Sequence, residues 1–280
     1  MRYAPESNLL FLHIPKAAGS SVKITITPWS RTIEPELVAD LGEGNVDLTV
    51  GRFKGYVEHP DIGRIHHAHM PMPYVAEYFP ATFKLVQGAD CFAIMRHPRK
   101  RFVSSVSQYL REFKGIGASR LTPRMVMESA QEVAAEIADT AFLVEPRHMH
   151  FGRQRSFVEN PANPIKVTMF TTEQLPQVES FLRSRTGRED VVIGRQNATV
   201  VPKSGFRAVH GALANVGTLL PKKWRYHGRK AMMRLPFYQT SFNIREVTFD
   251  PEVEAFIDEY YAADRELYEQ VLAEPGHVIG

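Results

Sequence analysis

One cysteine, Cys91, is all the thiol chemistry this chain of 280 residues has. A lone thiol makes no intrachain disulfide and rules out a cysteine-rich structural zinc site. Long apolar runs are missing as well. No window approaches the roughly 20 apolar residues that span a bilayer. The early apolar run at 9–14 is interrupted by His13, is closed by Pro15 and Lys16, and lacks the basic lead-in of an export signal. Strong charge of one sign is absent too: 34 Lys and Arg stand against 31 Asp and Glu, a formal net charge of +3. That is far below the charge density of a dedicated nucleic-acid binder, and an anionic small ligand fits it better. These absences lead to the expectation of a cytoplasmic protein with no transmembrane segment and no nucleic-acid partner.

What is present is ordinary globular composition, 44% hydrophobic and 23% charged, enough to bury one sizeable core. A single domain over 1–280 is expected. Residues 9–14 read as a buried strand, and cap-type residues from Gly19 open a helix that Pro28 ends. Residues 30–64 read as loops with at most a short strand. Residues 83–86 and 91–95 read as strands. From Pro98 the residues Phe102, Val103, Val106, Tyr109, Leu110 and Phe113 recur at helical spacing, with proline in the first turn. Helices follow at 122–142 and 174–185, a strand at 166–170, and one long helix at 251–272. Strands alternating with helices imply an α/β fold with a central parallel sheet flanked by helices.

The segment from Leu12 to Ser21, Leu-His-Ile-Pro-Lys-Ala-Ala-Gly-Ser-Ser, joins a strand to a helix start through small residues. Small residues let backbone N–H groups approach phosphate oxygens, and a helix N-terminus adds about half a positive charge. It is not a Walker A loop, since Lys16 lies four residues before Ser20 instead of directly before it. A solvated turn is the plain alternative for this segment taken alone. A second segment follows the strand at 91–95: Arg96-His97-Pro98-Arg99-Lys100-Arg101-Phe102-Val103-Ser104. An arginine at a strand end and a serine in the next helix can converge on one phosphate. A kinase would want an acidic strand end there to hold Mg²⁺.

The first segment resembles the 5'-phosphosulfate loop of sulfotransferases that use 3'-phosphoadenosine 5'-phosphosulfate (PAPS). The second resembles the 3'-phosphate motif Arg-Asp-Pro-x-x-Arg-x-x-Ser of the same family, with His97 in place of the aspartate. The resemblance implies a P-loop-like three-layer fold and a donor site of Lys16, Ala17, Ala18, Gly19, Ser20, Ser21, Arg96 and Ser104. Between the two motifs, His66-His67-Ala68-His69 is similar to the His-x-His element of the type 2, carbohydrate-acting members. By that resemblance His69 is the catalytic base, His67 its neighbour and Lys16 the stabiliser of leaving-group charge. A histidine of ordinary pKa is neutral and basic at neutral pH. The implied reaction moves a sulfuryl group from PAPS to a hydroxyl acceptor, with a carbohydrate favoured, and releases adenosine 3',5'-bisphosphate.

The three histidines, completed by His148-x-His150, could also form a metal site. They lack nearby acidic ligands and sulfuryl transfer needs no metal, so none is expected. Residues 170–175, the loop at 197–204 with Arg195 and Lys203 as further phosphate contacts, and the Tyr and Asp positions of the last helix also resemble the family. Residues 206–245 have no counterpart and are read as an acceptor-side insert. Within it Lys222, Lys223, Arg225, Arg229, Lys230 and Arg234, interleaved with Trp224 and Tyr226, are open to a rival reading as a non-catalytic binder of acidic glycan. The other rival is an ATP-dependent kinase.

Overall fold

The computed structural model describes residues 1–47, 55–117, 120–140, 143–194, 200–202, 238–240 and 247–280. Arg195, Lys203 and the basic stretch 222–234 lie outside the described residues, as does all of 206–245 except Tyr238–Thr240. Strands β1 (Arg2–Ala4), β2 (Leu9–Leu12), β3 (Arg31–Thr32), β7 (Asp90–Met95), β8 (Val167–Thr171) and β11 (His277–Ile279) form a six-stranded sheet ordered β11-β8-β7-β2-β1-β3. Its centre, β8-β7-β2, is parallel, with Leu10 opposite Cys91 and Ile94 opposite Phe170. Its edges are antiparallel: β1 pairs with β2 and β3, and β11 pairs with β8. The sheet is therefore mixed, where the sequence pattern implied a parallel one. Strands as short as β3 and β11 carry no signal of direction. Strands β4 (Val46–Asp47), β5 (Tyr56–His59) and β6 (Gly63–His66) make a separate antiparallel sheet, and β9 (Val200–Pro202) pairs with β10 (Tyr238–Thr240).

Alternation along the strands explains the layers. Leu9, Phe11, Phe92, Ile94 and Phe170 point to one face, where they pack on Val22 and Ile26 of α1 (Gly19–Ile26) and Val178 and Leu182 of α7 (Leu175–Thr186). Leu10, Leu12, Cys91, Ala93, Met95, Val167 and Met169 point to the other face. There they meet α3 (Met72–Tyr78), α4 (Pro80–Gly88) and α9 (Ala262–Ala273). Because both faces are covered, the central strands read as continuous apolar runs. A second core joins α5 (Pro98–Glu112), α6 (Pro123–Ile137) and α8 (Pro251–Tyr260) around Phe102, Val106, Val133 and Ile257. Among the described residues no helix is long and apolar enough to cross a membrane.

Three expected elements differ. Residues 83–86 lie in α4, a helix, not in a strand. Phe79, Phe83 and Val86 bury one helical face, and the Asp40 carboxylate accepts from the N–H groups of Ala81 (2.7 Å) and Thr82 (3.1 Å) at the helix start. Within the stretch 30–64, residues Glu34–Leu41 form helix α2, begun by Pro35 in its first turn and fixed by buried Ile33 and Leu37. The long last helix is two helices that break at Tyr261, whose φ and ψ of −105° and 19° are not helical. The break lets the buried Tyr261 hydroxyl donate to the Phe151 carbonyl at 2.6 Å.

Candidate active site

The loop between β2 and α1 is built on an unusual backbone. Lys16 and Ala18 both adopt left-handed φ values, 65° and 59°, on either side of Ala17. Such positions cost a non-glycine residue about 1–2 kcal/mol, and alternating signs of φ are how a chain turns successive N–H groups into an anion-receiving concavity. Ala17 N–H donates to Ile14 O and Ser21 N–H to Ala18 O. Among the described residues no acceptor takes the N–H groups of Ala18, Gly19 or Ser20 at the mouth of α1. Ser20 is exposed there, whereas Ser21 is 8% exposed and faces inward.

Arg96 follows β7 directly, and its Nη1 donates to the Lys16 carbonyl at 3.3 Å. The two basic groups of the separate motifs thus meet at one loop. The Arg96 backbone is clamped by the Gln154 side chain, which accepts from Arg96 N at 2.9 Å and donates to Arg96 O at 2.8 Å. Gln154 is held in turn by Asp264, whose buried carboxylate accepts from the N–H groups of Gln154 (2.6 Å) and Arg155 (3.0 Å). Ser104 lies in the second turn of α5, half-buried. His97 caps α5, its ring set edge-on against Tyr268 at 5.4 Å.

Helix α5 presents a polar line toward the loop at positions 101, 105, 108 and 112. Arg101, fully buried, donates to Pro15 O at 2.9 Å and His150 O at 3.1 Å. The Ser105 hydroxyl donates to His150 O at 2.7 Å. Gln108 accepts from Lys16 Nζ at 3.0 Å and donates to Glu112. Glu112 Oε2 stands 3.9 Å from His150 Nδ1. Burial pushes the Lys16 ammonium down to about 8; Arg111, Arg96 and Arg101 add to the fall and Glu112 opposes it.

Histidines from three parts of the chain gather over this loop. His66 and His69 stack with centroids 4.4 Å apart, His13 is 5.2 Å from His69, and His150 meets His69 edge to face at 5.0 Å. The His13 ring lies on Gly19 so closely that a Cβ there would fall inside the imidazole, which is why this loop position holds glycine. His67 stacks on His66 and its Nδ1 sits 2.6 Å from Gly55 O, so its ring is committed to the backbone. His69 has a buried Nδ1 without a partner. Burial holds every ring neutral: His66 is lowered to about 4, His67 and His150 to about 3, and His13 and His69 well below the ordinary value.

Lys16 and Arg96 thus meet at the loop, His69 is joined to Gly19 through His13, His67 touches the cluster only through His66, and Ser104 follows on the helix that Arg96 leads into. His13 bridges the loop and the cluster, lying on Gly19 and beside His69. His148 does not join His150 there: its Nε2 is 2.7 Å from Glu136 Oε2, on the other side of the 145–150 turn. Among the described residues no group of three or more His, Cys, Asp or Glu is arranged to hold a metal ion. The contributions of Glu112, Gln108 and Gln154 were missed, while His150, singled out only as a candidate metal ligand beside His148, joins the histidine cluster without it. The helical spacing 101, 105, 108, 112 beside an apolar stripe was the available signal. No family model, curated protein or solved structure matches the chain.

Proposed function

We propose that this chain is a PAPS-dependent sulfotransferase with a P-loop-like three-layer fold, acting on a hydroxyl acceptor. The observation that carries the reading is the meeting of Arg96 with the Lys16 carbonyl on the loop that opens α1, where His13 lies on Gly19 and pairs with His69. The residues present fit a phosphosulfate donor. Free N–H groups and the exposed Ser20 hydroxyl suit the 5'-phosphosulfate, and Arg96 with Ser104 suits the 3'-phosphate.

In this reading Lys16 leaves Gln108 and stabilises the charge that develops on the oxygen leaving sulfur. The acceptor hydroxyl gives its proton to His69 at Nε2, because the buried Nδ1 is out of reach of a ligand. Its oxygen forms the new bond to sulfur as the bond to the 5'-phosphate breaks, leaving a sulfate ester and adenosine 3',5'-bisphosphate. Burial keeps this base neutral throughout the neutral range, and because it also lowers the ring's affinity for a proton, uptake of the acceptor's proton calls for a counter-charge close by. A sugar hydroxyl as acceptor and a cytoplasmic setting belong to the same proposal; the first rests on family resemblance and the second on composition.

Calorimetric titration with adenosine 3',5'-bisphosphate, ATP and 5'-AMP, without added metal, tests it. Micromolar binding of the bisphosphate with neither of the others is the expected result. Preference for ATP would replace the reading with a kinase, and no binding of any nucleotide would overturn the donor site.

A further inference from the structure

Gln108 and Glu112 stand between the loop lysine and the histidine cluster, and neither has a role in the transfer as described. One helical turn of α5 separates them, so their side chains lie on one face and hydrogen-bond to each other. At one end Gln108 takes Lys16 Nζ; at the other Glu112 faces His150 Nδ1. His150 is edge-on to His69 and is fixed through its backbone carbonyl by Arg101 and Ser105. The groups facing Glu112 are Lys16, Arg111, Tyr56 and His150; those facing His150 are Lys16, His66, Arg101 and Arg111, besides His69. Among the described residues Glu112 is the only carboxylate that contacts a histidine of the cluster formed by His13, His66, His67, His69 and His150.

We propose that Glu112 is the positioning residue that links the two halves of the site. It holds Lys16 through Gln108, turns the His150 Nδ1–H toward itself, and supplies the counter-charge when the cluster takes up the acceptor's proton. The inference rests on the sulfotransferase reading for its catalytic meaning, but the linkage stands on the geometry alone. With Nδ1–H directed at Glu112, His150 keeps Nε2 as its acceptor nitrogen within the cluster. A carboxylate one amide away from Lys16 also keeps that lysine charged to higher pH, the direction in which Glu112 acts on it.

The test compares wild type, Glu112→Gln and Glu112→Asp by two measurements that need no turnover: the Lys16 titration followed by NMR at its ε-carbon, and the His150 tautomer read from its ring ¹⁵N shifts at neutral pH. In the Gln variant the Lys16 pKa should fall by about one unit, a roughly tenfold loss of ammonium on the alkaline side, and His150 should lose its preference for the Nδ1–H form. The Asp variant, which keeps the charge, should stay near wild type in both. The alkaline limb of bisphosphate binding should move with Lys16. An unchanged lysine titration or an unchanged tautomer in the Gln variant overturns the proposal. Gln108→Ala, which cuts the link to Lys16 and leaves His150 alone, should move the lysine titration by itself and gives a decision even if the Gln variant fails to fold. If the wild type binds no bisphosphate, the sulfotransferase reading falls, while the lysine and histidine measurements still decide the role of Glu112.

Discussion

Lys16 and Arg96 are both cations at one loop, yet their surroundings give them different work. Lys16 is a single ammonium on a flexible stem, weakened by burial and parked on Gln108, so it can move to an oxygen whose charge grows during reaction. Arg96 is held at its backbone by the paired hydrogen bonds of Gln154, and its guanidinium is a fixed fork suited to a standing phosphate. Lys16→Ala should therefore lower turnover by about 10²–10³-fold, the usual scale for losing a transition-state charge contact, with a smaller effect on donor affinity. Arg96→Ala should weaken bisphosphate binding by about 10–100-fold, as expected for a lost charged hydrogen bond. Steady-state kinetics with calorimetry separates the two, and unchanged turnover and affinity in both variants would sink the assignment. These two residues were legible in the sequence because each sits in a contiguous strand–turn–helix segment. Glu112 and Gln154 were not, because their meaning comes from neighbours about 40 or more positions away, and His150 was singled out only as a metal ligand.

At the scale of elements, α5 does two jobs with two faces. Phe102, Val106, Tyr109 and Leu110 bury the apolar face against α6 and α8, and Arg101, Ser105, Gln108 and Glu112 line the loop and the cluster. The apolar stripe was visible as helical periodicity; the polar line was hidden because exposed helix faces are polar as a rule. The same limit explains α4, since a stretch as short as Phe83-Lys84-Leu85-Val86 does not tell strand from helix. Arg101 is the member of the polar line on which the loop depends most. Its guanidinium closes the carbonyls of Pro15 and His150, and both lose their charged donor when it is replaced. Arg101→Leu should cost about 3 kcal/mol in urea unfolding, from two charged hydrogen bonds lost and the Pro15 carbonyl left open, while His150 O keeps the Ser105 hydroxyl. Arg101→Lys, lacking the fork, should recover only part of that. A loss below about 0.5 kcal/mol in the Leu variant would show that the loop is held by other contacts.

For the whole molecule, the alternation of strands with helices along the chain implied a sheet flanked by helices, as found, while the direction of the sheet edges escaped, because β1, β3 and β11 are too short to carry a pattern that sets it. The central sheet brings His13, just past β2, to the His66–His69 turn that leaves the smaller sheet, and Arg101 and Ser105 of α5 hold the His150 carbonyl so that its ring meets His69. Gathering these rings away from water has a global consequence. In the unfolded chain each titrates near 6.5, whereas in the fold His66 is lowered to about 4, His67 and His150 to about 3, and His13 and His69 lower than usual as well, all chiefly by burial. Below pH 6.5 the unfolded chain therefore binds protons that the native state refuses. Stability is complete above that pH and falls as the pH drops, by about 1.4 kcal/mol per pH unit for each ring kept neutral. The urea midpoint should hold steady from pH 8 to 7 and then decline steeply between pH 6.5 and 4.5, before most carboxylates begin to titrate. A midpoint unchanged between pH 7 and 5 would mean that the rings accept protons in the fold, and the neutral base on which the proposed transfer depends would then be lost along with the acid lability.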